Sequence, residues 1–101
     1  MKIYNKLVRD KIPEIIAADG KKFVTRILDE EEHLQELVKK LAEEYEEFKK
    51  DISLEELADL QEVILALADQ IASREELEKV RAHKAKARGG FKNRIYLEST
   101  E

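Results

Sequence analysis

At three places in this chain a run of helical period opens on an aspartate or serine that is followed three residues later by a glutamate. Asp29 with Glu32, Ser53 with Glu56 and Ser73 with Glu76 each read as a capping box, in which the first side chain accepts from the backbone N–H three residues on. Behind the first box, Leu34, Leu37, Val38, Leu41, Tyr45 and Phe48 recur at three- and four-residue steps, the repeat of one helical face. Behind the second, Leu57, Leu60, Val63, Ile64, Leu67 and Ile71 form a face broad enough to be buried against more than one neighbour. The spacing predicts helices over about 30–50, 54–71 and 74–88, with the middle one at the centre of the core.

The flanks are shorter and less regular. Asp10 to Asp19 reads as a brief helix, with Pro13 tolerable in its first turn and Gly20 ending it. Phe23, Val24, Thr25 and Ile27 favour an extended segment over Lys22–Leu28, and Phe91–Leu97 alternates in the same way after Gly89-Gly90. The two are candidates to pair. The expected fold is all-α: an antiparallel bundle of three main helices and a short N-terminal one, with room for two short extended segments. One domain spans 1–101, because 101 residues with three Gly and one Pro leave no space for a second core.

Charge and composition remove several classes of function. The net charge of -4 disfavours a broad phosphate-binding surface, so no nucleic-acid partner is expected. No apolar run is long enough to cross a bilayer, and Met1-Lys2-Ile3-Tyr4 leads into charged sequence rather than a signal peptide's apolar core; a soluble, cytoplasmic protein is expected. With no cysteine, disulfides, thiolate metal sites and thiol catalysis are excluded. Any metal falls to oxygen ligands or to His33 and His83, which are isolated and read as surface polar residues. A chain this small buries limited area alone, so self-association is expected.

The chemistry lies in two acidic pairs. Glu44 and Glu47 precede the break near Ile52-Ser53, and Glu56 and Asp59 follow it. Glu44 belongs to the stripe Leu37, Leu41, Glu44, Phe48, and Glu56 to the stripe Glu56, Leu60, Val63, Leu67, so each carboxylate falls near the centre of a core-facing row. An antiparallel helix pair sets Glu47 level with Glu56, and Glu44 level with Asp59 about one turn further in. In a chain with 23 acidic residues either pair alone arises easily as solvated helix surface. Both together, on stripes and at matching depth, are a different matter: four facing carboxylates repel unless something cationic is shared. Hard divalent cations, Mg²⁺ or Mn²⁺, suit an all-oxygen donor set.

Glu43-Glu44-x-x-Glu47 followed by Glu56-x-x-Asp59 resembles the E-E-x-x-E then E-x-x-D signature of the MazG-like all-α nucleoside triphosphate pyrophosphohydrolase superfamily, which includes the phosphoribosyl-ATP pyrophosphohydrolases. Tyr4 to Pro13 and the closing Lys86-Ala87-Arg88-Gly89-Gly90-Phe91 resemble those of a small single-domain branch of that group. The resemblance covers nearly the whole chain. It implies Mg²⁺-dependent hydrolysis between the α and β phosphates of a nucleotide, giving monophosphate and pyrophosphate, in a homodimer or homotetramer. By motif position it implies Glu44, Glu47, Glu56 and Asp59 as metal ligands, with Glu43 at the first acid of the signature. Phosphoribosyl-ATP as substrate, and a non-catalytic nucleotide-binding or association module, are the competing readings.

One of the acids is expected to act as general base. Glu47, off the stripe centre with room for a water, is the first choice beside Glu44. Pyrophosphate also needs cations. Lys84, Lys86, Arg88, Lys92 and Arg94 crowd the Gly-Gly turn, where glycine N–H groups are expected to approach a phosphate; the helix macrodipole alone also accounts for basic residues there. The resemblance favours Lys84 and Arg88 among them. Lys6, Arg9 and Lys11 form a second basic group at the other end. Tyr45 and Phe48 follow core spacing and are expected to pack inward.

Overall fold

Each capping residue closes its helix start as the spacing requires. Asp29 Oδ1 accepts from the Glu32 N–H at 2.8 Å, Ser53 Oγ from Glu56 at 3.3 Å and Ser73 Oγ from Glu76 at 3.1 Å. In the computed structural model, which describes residues 2–101, the helices are α1 (Ile12–Ala18), α2 (Glu30–Lys50), α3 (Leu54–Ile71) and α4 (Arg74–Arg88). Among the described residues there is no strand, and no helix is long and apolar enough to cross a membrane.

Asp51, Ile52 and Ser53 form the whole link between α2 and α3, which forces an antiparallel hairpin. At its open end Gln70, near the close of α3, donates its side-chain N–H to the carbonyl of Glu30 at the start of α2. The buried apolar residues sit on this seam or beside it: Leu37 from α2, and Val63 and Ala68 from α3. Leu41 and Phe48 continue the α2 row, and Leu60 and Leu67 the α3 row, all half-buried. On its other side α3 packs against α4, so it is the central helix, as its broad apolar face requires.

The rest of the molecule is open. Its radius of gyration is 17.9 Å and it extends 60 × 30 × 24 Å, against about 13 Å for a compact globule of this length. Leu57, Ile64, Ile71 and Val80 remain exposed on α3 and α4. The α1 helix packs on no other helix.

The two segments expected to be extended, Lys22–Leu28 and Phe91–Leu97, form no ladder. Val24, Ile27, Phe91 and Ile95 are almost fully exposed, so a two-stranded ribbon would have no apolar face to bury and is marginal by itself. In the second segment a turn breaks the alternation: Arg94 adopts φ 57° and its N–H reaches the Phe91 carbonyl at 3.2 Å. Tyr45 also departs from expectation. It lies one residue, about 100°, from the stripe centre at Glu44, is half exposed, and carries Lys49 Nζ 5.2 Å from its ring centroid; Phe48 stays on the half-buried row.

Candidate metal centre

Glu44 lies seven residues after Leu37 on α2, and Glu56 seven residues before Val63 on α3. Seven residues are close to two helical turns, so each carboxylate shares a face with a buried core residue of its own helix and is carried to the hairpin's closed end by the same packing. Asp59 follows Glu56 by one turn. As a result Glu44, Glu56 and Asp59, all half-buried, each offer an oxygen within 4.8 Å of the others.

Local structure tunes these acids. The Ser53 cap fixes the first turn of α3, and its own hydroxyl donates to Asp51 Oδ2 at 3.3 Å. Glu56, third in that capping box, turns its carboxylate to the cluster; its equivalent Glu32 pairs with Arg26 at 2.9 Å. Burial pushes the Glu56 carboxyl above the usual carboxylate range, and the negative charges of Asp59, Glu44, Glu47 and Asp51 push the same way. The site therefore favours a bound proton or another positive charge.

Two cations reach the trio, and a third sits on Glu43 beside it. Lys40 Nζ lies 3.7 Å from Glu44 Oε1 and 3.4 Å from Glu43 Oε1, and the Lys40 and Glu44 side chains are only 17% and 15% exposed. Arg9 Nη2 donates to Asp59 Oδ1 at 2.7 Å, and Lys6 Nζ sits 3.5 Å from Glu43 Oε1. Lys40 belongs to no motif, but its position four residues before Glu44 and three before Glu43 is the spacing at which opposite charges meet on a helix.

The remaining residues fall elsewhere. Glu47 is exposed and outside the converging trio, yet close enough for its charge to act on Glu56. Lys84, Arg88, Lys92 and Arg94 are exposed, and among the described residues none forms an ion pair. The Gly89 N–H is bonded to the Ala85 carbonyl at 2.8 Å, so closing α4 occupies one of the two glycine donors expected to face a phosphate; the φ of +84° there is one that glycine tolerates. His33 and His83 take no part in the acid cluster.

The donor set fits a hard divalent cation: it is all carboxylate, comes from two helices, and converges on one point. Compared with family models, curated proteins and solved structures, the chain matches none.

Proposed function

We propose that this chain is a Mg²⁺-dependent nucleoside triphosphate pyrophosphohydrolase, with Mn²⁺ as an alternative ion, that cuts between the α and β phosphates and acts in cytoplasmic nucleotide-pool housekeeping. The observation that carries the reading is the convergence of Glu44, Glu56 and Asp59 from two helices within 4.8 Å. The resemblance of the same acids to the MazG-like signature supports it.

Glu44, Glu56 and Asp59 would hold the ion. A bound Mg²⁺ supplies charge neutralisation at the phosphate oxygens and Lewis acidity toward water. Glu47, exposed one turn beyond Glu44, accepts the proton of the attacking water, or serves as a fourth ligand. Lys6 and Arg9 already lie on acids beside the site and present cations to the polyphosphate. Lys84, Arg88, Lys92 and Arg94 supply further positive charge from the end of α4. The exposed apolar face of α3 and α4 supports assembly as a homodimer or homotetramer, in which a second copy covers what one copy leaves open.

The test is release of pyrophosphate from a panel of canonical, deoxy and modified nucleoside triphosphates, with and without Mg²⁺, comparing wild type with Glu44→Ala. Pyrophosphate and monophosphate formed only with metal and intact Glu44 support the reading. Silence on the panel together with turnover of phosphoribosyl-ATP would move the substrate; silence on both would favour a non-catalytic association module.

A further inference from the structure

Arg9 occupies a place that the proposed cation needs. Its guanidinium donates to Asp59 Oδ1 at 2.7 Å across fifty residues of sequence, and Asp59 is one of the three converging acids. Among the described residues no other cation pairs with Glu56 or Asp59. The α3 side of the cluster therefore has one counter-charge, delivered from the N-terminal segment.

That segment is held differently from the other cation at the cluster. Lys40 stands on α2 one turn from Glu44, so the two are carried by the same helix. Arg9 precedes α1, which packs on no other helix, and the polar ties of its segment to the hairpin are Lys6–Glu43 at 3.5 Å and Arg9–Asp59. The Arg9 and Asp59 side chains are 59% and 40% exposed, so the bond is a weak one that water and other ions readily replace. A divalent ion carries twice the charge and binds carboxylate oxygen directly, and it repels a guanidinium on the same carboxylate.

We propose that Arg9 is an internal stand-in cation: it holds Asp59 while the site lacks a metal, is displaced when a divalent ion binds, and is then free beside the acids to take a polyphosphate. The inference rests on the divalent-site reading above. Metal loading and release of the N-terminal segment become one event, and Arg9 acts as a positioning residue toward the ion and as a ligand toward the phosphate.

The experiment titrates Mn²⁺ into the full chain at low ionic strength, reading free Mn²⁺ by electron paramagnetic resonance, for wild type, Arg9→Gln, Lys6→Gln and Glu56→Gln. Amide hydrogen exchange of residues 2–20 is followed with and without Mn²⁺. Arg9→Gln is expected to bind Mn²⁺ about two- to fivefold more tightly, the range set by an exposed ion pair. Exchange in residues 2–20 is expected to speed up when wild type takes Mn²⁺, and to be fast and insensitive to the ion in Arg9→Gln. If wild type binds Mn²⁺ and Glu56→Gln does not, but Arg9→Gln is unchanged in affinity and exchange, the stand-in role is overturned while the metal site remains. If Lys6→Gln tightens binding equally, general charge removal explains the effect and the role is again overturned. If wild type binds no Mn²⁺, both readings fall.

Discussion

Leu37→Ala is expected to cost about 2–3 kcal/mol, toward the low end of the roughly 2–5 kcal/mol seen for buried leucines. Leu37 is 3% exposed, yet among the described residues the buried core comprises only Leu37, Val63 and Ala68. A void beside so small a core is open to partial collapse, which places the loss low in that range. For a chain near 100 residues each kcal/mol moves Tm by about 4–8 °C, so a fall of roughly 10–20 °C is expected. Val38, the next residue, is 55% exposed; Val38→Ala gains helix propensity and should leave Tm unchanged or slightly raised. Thermal melts followed by circular dichroism, repeated over about a tenfold range of protein concentration, separate the monomer's own packing from contacts with a second copy. Equal losses in the two variants, or a Leu37→Ala loss below about 1 kcal/mol, would refute the claim that the α2–α3 seam holds the fold. Because Glu44 rides on the same face two turns from Leu37, Leu37→Ala should also weaken metal binding, although it touches no ligand.

Other tests address the acids and their caps. Glu56→Gln removes one of the crowded charges, so the metal-free protein should melt higher than wild type while stabilisation by added Mg²⁺ disappears; a variant that melts lower and still responds to Mg²⁺ would contradict this. The pH dependence follows from the raised proton affinity of Glu56: the folded state binds more protons than the unfolded chain just above the usual carboxylate range, so this group's contribution to stability falls as pH rises through that window. Glu32 and Glu78, lowered by hydrogen bonds from Arg26 and Arg81, act oppositely, and their contribution is lost as pH falls below the usual range. Urea titrations across pH for wild type and Glu56→Gln resolve the two slopes, and identical profiles would contradict the Glu56 assignment. Ser53→Ala should cost about 1 kcal/mol and fray the turn that carries Glu56, seen as faster amide exchange confined to the start of α3.

The helices were legible because their signals are local. A cap and a periodic run lie within one stretch of chain, and the boundaries at 30–50, 54–71 and 74–88 match α2, α3 and α4 residue for residue. The meeting of Glu44 with Glu56 and Asp59 was legible for a related reason: a link as short as Asp51–Ser53 fixes both the direction and the level of the next helix. What the sequence did not show depends on distance or on surroundings. The Arg9–Asp59 pair joins residues fifty apart with no register to count. The β-prone residues at 22–28 and 91–97 needed a partner face that the fold does not offer. Glu47 illustrates the limit of counting levels: it makes the same three-residue step from Glu44 that Asp59 makes from Glu56, yet it ends exposed and outside the converging trio.

The most direct measurement is the position of the ion itself, in crystals of the protein soaked in Mn²⁺ and measured for anomalous scattering. The expected result is a peak at the closed end of the α2–α3 hairpin, within coordination distance of carboxylate oxygens of Glu44, Glu56 and Asp59, with Arg9 moved off Asp59. A data set with no peak there, or with Mn²⁺ bound only at other acids, would contradict the account.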